Sequence, residues 1–301
     1  MCEHSRNNQN VNRDRDRQNL LLSIITVVYN DEQTIEQTVK SIIEQKNHFK
    51  DFEYVLIDGG STDNTLSILE KYSYDIDILL SERDNGLYHA MNKAISLANG
   101  EWFLFINSGD TLADSNILKL LADFVFSSQD SNTHANIDII YGNHLIRRDY
   151  GKAKLYIAPP INKLDSLFWK GIPFSHQSCL MNRRVFIDQN NRFIVHRKFH
   201  ASDYVLLLSL YCLGSSFKKI DLIISEVSTG GISDIKRLQG LVQQFPFALA
   251  SHSKKTDIIG FYFSQMIYQS IATFVKSILP AKLKQKILNF LDEIKDRKVV
   301  N

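Results

Sequence analysis

The sequence predicts an α/β fold, in which helices flank a mostly parallel sheet and a helical appendage follows at the C-terminal end. Apolar runs of strand length alternate with segments of helical periodicity from residue 20 onward, as in parallel sheets with right-handed helical crossovers. The runs contain few polar residues, as expected for strands that are buried on both faces. With 301 residues, 44% of them hydrophobic, the chain can form one large domain with an appendage.

Three strand–helix units precede the centre of the predicted sheet. In each unit an apolar strand ends in a polar loop, and apolar residues then recur at helical spacing. The predicted strands are residues 20–28, 54–57 and 76–80, and the loops after them are residues 29–31, 58–63 and 82–86. Gly100 is placed to end the third helix, as a C-terminal glycine commonly does.

The fourth predicted strand, residues 102–106, contains five apolar residues and stops at Asn107-Ser108-Gly109-Asp110. It therefore brings Asp110 to the carboxyl end of a buried strand, the edge at which open α/β sheets bind ligands. The same residues also favour a turn, and Asp110 could instead cap a helix that we expect to begin near Leu112.

Acidic residues follow all four predicted strands. One acid at a strand end is more often a helix cap than a ligand, but several acids on one sheet edge favour a binding site. Carboxylates can accept hydrogen bonds from a nucleobase or ribose, and they can hold Mg²⁺ or Mn²⁺ against a diphosphate. A nucleoside-diphosphate substrate suits this pattern, whereas the missing Gly-x-Gly-x-x-Gly argues against a nicotinamide-dependent dehydrogenase. The acids are Asp31, Asp58, Asp84 and Asp110.

Composition narrows the protein class. The formal net charge is only +2, which gives no overall basic field for nucleic acid. The three cysteines are an odd number without metal-ligand spacing, so we expect free thiols in a reducing compartment rather than zinc or disulfides. Residues 1–19 are polar and lack the apolar stretch of a secretory signal. We therefore expect a disordered arm on a cytoplasmic protein.

Four ordered segments within residues 23–110 form a specific combination of motifs. They are Ser-Ile-Ile-Thr-Val-Val-Tyr-Asn at 23–30, Leu-Ile-Asp-Gly-Gly-Ser-Thr-Asp-Asn-Thr at 56–65, Asp-Asn-Gly-Leu-Tyr-His-Ala-Met-Asn-Lys at 84–93 and Phe-Ile-Asn-Ser-Gly-Asp at 105–110. Together they resemble family 2 glycosyltransferases, especially bacterial enzymes of exopolysaccharide, O-antigen and colanic-acid assembly. The resemblance implies a GT-A fold, a nucleotide-sugar donor, a divalent cation and inversion at the anomeric carbon.

The resemblance also implies roles for single residues. Asp58 would accept a hydrogen bond from the nucleobase imide, and Asp84 and Asn92 would border the ribose and the diphosphate. The remaining donor-site residues implied are Tyr29, Asn30 and Asp31 in the nucleotide pocket, together with Ser108 and His176.

Asp110 would be the metal ligand at the end of a motif that is usually Asp-any-Asp. The sequence departs from the family here, because Asn107 replaces the first acid and Gly109 a common third-position acid. With one carboxylate, we expect a modest affinity for Mn²⁺ or Mg²⁺, completed largely by the phosphates of the donor.

The second half of the chain is less regular. Residues 137–141 form another predicted strand that leads to Arg147 and Arg148, a basic pair that is either a phosphate contact or a solvated surface pair. The segment around His176 resembles the family's His-Gln segment near the donor sugar. Asp203 precedes the apolar run 205–210 and should lie in the first turn of a buried helix.

In the family, an acid at the position of Asp203 is the general base that deprotonates the acceptor hydroxyl; the alternative is a helix cap. The segment 228–233, Ser-Thr-Gly-Gly-Ile-Ser, could cover the diphosphate with backbone amides or be a plain loop; its Gly-Gly-Ile-Ser part at 230–233 is similar to a segment late in the family's catalytic domain.

The composition changes near the C-terminal end. Residues 259–278 keep apolar side chains at helical spacing, but polar interruptions argue against a transmembrane span. Lysines at 282, 284 and 286 follow. An amphipathic helix with a basic extension suits an anionic membrane surface, and packing on the core or on another subunit is the alternative. The predicted division is an arm at 1–19, a GT-A domain at 20–250 and an amphipathic helical segment at 251–301.

These observations predict an inverting glycosyltransferase at the cytoplasmic face of the inner membrane. It would transfer one sugar from a nucleotide-sugar donor to a glycan acceptor in cell-surface polysaccharide biosynthesis, and we expect that acceptor to be lipid-linked. Because Asn107 replaces an acid, a catalytically silent nucleotide- or sugar-binding partner in an assembly complex is the alternative. A nucleotidyltransferase is disfavoured, since no glycine-rich basic loop follows the first strand.

Overall fold

A computed structural model describes residues 20–129, 137–147, 153–229 and 236–278 of the chain. Four of the predicted features lie outside these residues: the arm at 1–19, Arg148, the glycine segment at 230–233 and the lysines from 282 to 286. Within the described residues, nine strands form one sheet that separates two layers of helices.

The strands are β1 (Leu22–Val28), β2 (Phe52–Asp58), β3 (Ile78–Ser81), β4 (Trp102–Phe105), β5 (Thr111–Leu112), β6 (Ile139–Arg147), β7 (Lys154–Tyr156), β8 (Cys179–Asn182) and β9 (Phe217–Ser228). Across the sheet they lie in the order β3-β2-β1-β4-β8-β6-β9-β5, and β7 pairs with β6. The α-helices in the described residues are α1 (Ile35–Ile43), α2 (Thr65–Glu70), α3 (Leu87–Leu97), α4 (Ile117–Gln129), α5 (Leu164–Phe168), α6 (Arg183–Ile187), α7 (Ser202–Cys212), α8 (Arg237–Ser251) and α9 (Lys255–Ile278).

The first half of the sheet is parallel, which confirms the predicted fold class. Strand β1 pairs in parallel with β2 and β4, and β2 pairs in parallel with β3. Alternate residues of β1 enter different cores: Ile25 and Val27 pack on one side of the sheet, and Leu22 and Ile24 on the other. All four residues of β4 are buried as well. Burial of both faces explains why these strands are continuous apolar runs.

Antiparallel pairing in the second half brings distant segments to the end of β4. Strand β8 lies antiparallel to β4, with Leu104 opposite Leu180. The 3₁₀ turn that precedes β8, His176–Ser178, therefore lies beside the residues that follow β4. Strand β5 pairs with β9, with Thr111 opposite Glu226, and this pairing places the end of β9 next to Asp110.

The predicted helix start near Leu112 is wrong. Thr111 and Leu112 form β5 instead, and α4 begins at Ile117 after a turn in which the Asn116 N–H donates to the Asp114 carboxylate at 2.8 Å. The Ala113 N–H donates to the Ile224 carbonyl on β9 at 3.0 Å, and the Leu112 N–H donates to the Ser41 hydroxyl at 3.3 Å, so both groups are hydrogen-bonded without a helical turn. Asp110 consequently does not cap that helix.

Helices α8 and α9 form a hairpin with a small apolar core of its own. Ala248, Ile258 and Tyr262 are fully buried there, and Trp169 packs against them from the loop after α5. The first turns of α9 thus pack against the rest of the chain. Among the described helices, none combines the length and the apolar character needed to cross a membrane.

Candidate active site

The loop after β1 holds the predicted residues Tyr29 and Asn30 at the carboxyl edge of the sheet. Asn30 adopts a left-handed conformation with φ of 49°, which asparagine tolerates better than most residues. Its side-chain oxygen accepts a hydrogen bond from the Thr62 N–H at 2.7 Å, and its own N–H donates to the Ser61 hydroxyl at 2.8 Å. These bonds fix the loop after β1 against the loop after β2, while the Tyr29 side chain stays 62% exposed.

Asp31 and Ser108, which were both predicted in the donor site, contact each other. The Oδ2 atom of Asp31 accepts hydrogen bonds from the hydroxyls of Ser108 at 2.6 Å and Thr34 at 2.5 Å. Gly109 follows with φ of 90°, and a Cβ at that position would lie 3.2 Å from the Thr34 hydroxyl oxygen. The loop after β1 and the loop after β4 are therefore tied together on the way to Asp110.

Asp58 lies at the predicted strand end, but its carboxylate is engaged within its own turn. It is fully buried, and it accepts hydrogen bonds from the Gly60 N–H at 3.2 Å, the Ser61 hydroxyl at 2.5 Å and the Ser81 hydroxyl at 2.6 Å. Both of its oxygens thus hold the turn after β2 and tie it to β3. Contact between Asp58 and a nucleobase stays a prediction.

Gly59 forms the floor of a small cleft between Tyr29 and Asp84. A Cβ at Gly59 would lie 2.8 Å from Asp84 Oδ2 and 3.4 Å from Tyr29 Cδ2. The other Asp84 oxygen, Oδ1, accepts a hydrogen bond from the Gly86 N–H at 2.7 Å, which orients Oδ2 toward the glycine. Glycine thus allows the Asp84 carboxylate to lie close to the backbone beside an exposed aromatic ring, an arrangement that suits a nucleoside.

Asn92 does not face this cleft. Its amide donates to the Phe193 carbonyl at 2.8 Å and accepts from the Phe193 N–H at 3.0 Å, so it pairs with one backbone unit much as a neighbouring strand would. The structure therefore gives Asn92 a supporting role: it fixes the segment that leads to α7. Contact between Asn92 and the ribose or the diphosphate stays a prediction.

Asp110, the predicted metal ligand, is buried among hydrogen-bond donors. Its carboxylate accepts from the Ser228 N–H at 2.8 Å, the Ser228 hydroxyl at 3.2 Å and the Gln177 amide at 2.9 Å. Burial raises the pKa of the Asp110 carboxyl, and these donors together with nearby His176 offset part of that increase. Asp110 is thus a single carboxylate after the end of β4, held in place by hydrogen bonds from Ser228 and Gln177.

The donor set near Asp110 fits a cation that the protein holds only in part. Within the described residues, no group of three or more His, Cys, Asp or Glu side chains is arranged to bind a metal. The Oδ1 atom of Asn107 is buried and has no hydrogen-bond partner among those residues. A carboxylate and an unpartnered amide oxygen are ligands that Mg²⁺ and Mn²⁺ accept, provided that phosphate oxygens and water complete the shell.

Asp203 lies in the first turn of α7, as the sequence predicts, and it belongs to a chain of polar side chains. His176 Nδ1 is 3.3 Å from Asp203 Oδ2, and His176 Nε2 is 3.2 Å from the Asn107 amide nitrogen. Because an amide nitrogen can only donate, Nε2 accepts from it, and the Nδ1–H donates to Asp203. The Tyr88 hydroxyl also donates to Asp203 Oδ1, at 3.1 Å.

The surroundings of Asp203 favour its ionised form. Burial acts to raise its pKa, but hydrogen bonding and charge from His176, the Tyr204 N–H and the Tyr88 hydroxyl outweigh burial and lower the pKa below the ordinary value. Asp203 is therefore a carboxylate at neutral pH, which is the state that a general base requires.

The sequence analysis assigned no hydrogen-bonding role to four residues of this site, which are Gln177, Ser228, Tyr88 and Asn107. Gln177 and Ser228 bind Asp110 from segments that are 67 and 118 residues away. Their only sequence signal is position, since Gln177 follows His176 and Ser228 precedes the glycine pair.

Arg147, one of the two arginines considered for phosphate contact, has a partner inside the fold. Its Nε lies 2.5 Å from a Glu226 carboxylate oxygen, and its Nη1 donates to the Gln37 amide oxygen at 3.2 Å. This pairing on the neighbouring strand agrees with a structural role better than with a free phosphate-binding group.

Comparison with known proteins connects this geometry to a family. The model of the family described as glycosyl transferase family 2 matches residues 23–189. A PGL/p-HBAD biosynthesis glycosyltransferase of Mycobacterium tuberculosis is 37% identical over 100 residues, which make up 32% of this chain and 37% of that protein. The alignment thus spans little more than a third of that relative.

Solved structures share the fold. Staphylococcus aureus TarS 1–349 in complex with UDP-GlcNAc has a TM-score of 0.55 and 19% identity, covering 82% of this chain and 71% of TarS. Mannosyltransferase PcManGT from Pyrobaculum calidifontis, in complex with GDP-Man and Mn²⁺, has a TM-score of 0.57 and 16% identity, covering 91% and 79%. The family model covers more than half of the chain, and we conclude that this protein belongs to glycosyl transferase family 2.

Proposed function

We propose that this protein is an inverting glycosyltransferase that uses Asp203 as its general base. The hydrogen-bonded chain from Asn107 through His176 to Asp203 is the observation that supports this most directly. Asp203 takes the proton of an acceptor hydroxyl while that oxygen bonds to the anomeric carbon of the donor sugar. The bond from this carbon to the diphosphate breaks, and the diphosphate leaves with the electron pair. A single displacement of this kind inverts the anomeric carbon.

The donor is a nucleotide-diphosphate sugar held at the carboxyl edge of the parallel strands. The cleft of Tyr29, Gly59 and Asp84 accepts the nucleoside, since an exposed aromatic ring can stack on any base and a carboxylate can accept from a ribose hydroxyl. The TarS and PcManGT structures contain UDP-GlcNAc and GDP-Man. They support a nucleotide sugar without favouring one base.

A divalent cation, Mn²⁺ or Mg²⁺, is the cofactor we propose. Asp110 would hold it with the donor's phosphates as the main ligands, and the unpartnered amide oxygen of Asn107 in the same loop is a further candidate ligand. When bound, the cation stabilises the negative charge of the departing diphosphate. Gln177 and Ser228 keep the Asp110 carboxylate in place.

The acceptor we propose is a lipid-linked glycan of cell-surface polysaccharide, at the cytoplasmic face of the inner membrane. On α9, four apolar side chains at intervals of four residues are between 46% and 66% exposed; they are Ile259, Phe263, Ile267 and Ile271. We name this row the apolar stripe. Lysines at 282, 284 and 286 follow it in the sequence. An apolar helix face with a basic extension fits an anionic lipid surface, and this peripheral contact would keep the enzyme near its acceptor.

A thermal-shift comparison tests the donor site first. Purified protein is melted with UDP, GDP, dTDP or CMP, each with and without Mn²⁺. We expect one nucleotide to raise the melting temperature and Mn²⁺ to increase the effect, because a ligand that binds only the folded state stabilises it. If none of the four nucleotides stabilises the protein, the donor-site assignment is wrong.

Turnover of the matching nucleotide sugar then tests the base. Asp203→Asn keeps the side-chain shape and removes the proton-accepting charge, so nucleotide release should fall about 10²- to 10⁴-fold. Asp123→Asn is the matched control, because Asp123 is exposed on α4 and pairs with Lys119. Binding of a nucleotide with no metal-dependent turnover in the wild type would instead favour the catalytically silent partner.

A further inference from the structure

A cavity of about 140 Å³ lies beside the proposed base and is not used by the donor site described above. The start of α3 forms one wall, and residues 195–200, which lead to α7, form the other. Tyr88 connects the cavity to the base, because its hydroxyl is 3.1 Å from Asp203 Oδ1 and 3.2 Å from the His200 carbonyl oxygen. A group in this cavity would therefore lie close to the hydroxyl that Asp203 deprotonates.

The cavity is lined by donors of positive or partly positive character. Arg197 and three histidines, His89, His196 and His200, contribute to its walls, and none of the described residues that line it has a carboxylate. The guanidinium of Arg197 forms no ion pair within the described part of the chain. Because arginine stays charged at any physiological pH, its charge is available to a ligand.

Two of these imidazoles are oriented to donate. The Nδ1 atom of His89 accepts a hydrogen bond from the Asn85 N–H at 3.2 Å, and the Nδ1 atom of His196 accepts from the Lys198 N–H at 3.3 Å. With Nδ1 engaged as an acceptor, each neutral ring has its proton on Nε2. The local backbone therefore leaves both rings with an N–H to donate, as an oxyanion would require.

Acidic side chains on the adjoining segments do not cancel this charge. Glu82 pairs with Lys93 at 2.8 Å, and Asp203 is already bound by His176 and Tyr88. Asp84, next to the lining residue Asn85, lies against Gly59 and accepts a hydrogen bond from the Gly86 N–H at 2.7 Å. On the other side, Lys236 is close enough to contribute to lowering the pKa of His200, after the larger effect of burial. The lining of the cavity thus carries the positive charge of Arg197, although the chain as a whole is nearly neutral.

We infer that this cavity binds a phosphate group of the acceptor, and that the enzyme therefore glycosylates a phosphorylated acceptor. The inference rests on the proposed function, since it assigns the acceptor side of the same reaction. One arginine fork and two ring N–H groups from opposite walls match an oxyanion with several acceptor oxygens. The donor's diphosphate offers the same chemistry, so the experiment must separate the two sources.

Inorganic phosphate is the probe, observed through the histidine ring signals in NMR spectra. The titration is made with Mg²⁺ and a saturating amount of the nucleoside diphosphate that the thermal-shift comparison identifies. We expect phosphate to shift histidine signals under these conditions, and Arg197→Gln to weaken its Kd about tenfold, as loss of a charge-assisted hydrogen bond implies. Lys163→Gln removes an exposed positive charge elsewhere and should leave Kd within about twofold of the wild type.

Two results would overturn the inference. An unchanged phosphate Kd in Arg197→Gln would show that the cavity is not the binding site. Competition between phosphate and the nucleoside diphosphate would assign the cavity to the donor instead. Failure of every nucleotide to bind would contradict the proposed function, and a titration without nucleotide would still decide whether Arg197 binds phosphate.

Discussion

Replacing His176 with phenylalanine isolates the contribution of the histidine to the base. The substitution keeps a planar ring in the turn before β8 and removes the Nδ1–H that lies 3.3 Å from Asp203 Oδ2. Burial raises the pKa of Asp203, and His176 normally offsets part of that increase, so the pKa of Asp203 rises in the variant. Because Asp203 must be ionised to accept a proton, the acidic limb of the kcat/KM profile should move to higher pH.

The hydrogen bond also sets the size of the effect at neutral pH. A hydrogen bond to a charged group contributes about 1.5–3 kcal/mol, which corresponds to a loss of about 10- to 150-fold in kcat/KM if the bond is needed in the transition state. The assay is nucleotide release from the matching nucleotide sugar between pH 4 and pH 9, measured at intervals of about one pH unit. Tyr88→Phe removes a weaker influence on the same carboxylate and should shift the limb less, in the same direction. An acidic limb at the wild-type pH in His176→Phe would refute the coupling and assign His176 to another role.

Three further predictions test other parts of the molecule. Tyr29→Ala should weaken binding of the nucleoside diphosphate about tenfold in calorimetry, through loss of stacking, whereas Tyr29→Phe should bind nearly as the wild type does. Gly100→Ala should lower stability to urea by about 1–3 kcal/mol without changing nucleotide affinity, because its Cβ would lie 2.5 Å from the Ser23 backbone nitrogen, far from the site. Phe263→Glu should reduce sedimentation with anionic lipid vesicles, and Ser264→Glu, with the same charge off the apolar stripe, should reduce it less; equal losses would argue against the stripe as the contact.

The parallel half of the sheet could be predicted from sequence because its strands are buried on both faces. An apolar run is then enough to find the strand, and its end locates the ligand-binding edge. The second strand shows where this signal fails. The strand begins at Phe52, two residues before the predicted start. The prediction missed Phe52 and Glu53 because the charged Glu53 interrupts the apolar run. Glu53 is nevertheless buried, since it accepts a hydrogen bond from the Ser23 hydroxyl at 2.7 Å.

The site was harder to predict because its decisive contacts join residues that are far apart in sequence. The acids at the strand ends were visible, but the partners that decide what each acid can do were not. Asp58 and Asp110 both follow strands, yet Asp58 is saturated by hydroxyls and amides of its own and neighbouring turns, while Asp110 is held by Gln177 and Ser228. Only the antiparallel second half of the sheet brings the latter pair into reach.

The amide at position 107 links the two halves of the proposed mechanism. Its side-chain nitrogen lies 3.2 Å from His176 Nε2, and His176 Nδ1 lies 3.3 Å from Asp203 Oδ2. The amide nitrogen donates to Nε2, which leaves the Nδ1–H to donate to the Asp203 carboxylate. The departure from Asp-any-Asp, which weakens the case for a strong metal site, therefore strengthens the case for Asp203 as the proton acceptor. The arrangement leaves the cation to Asp110 and the donor's phosphates, and the proton to Asp203.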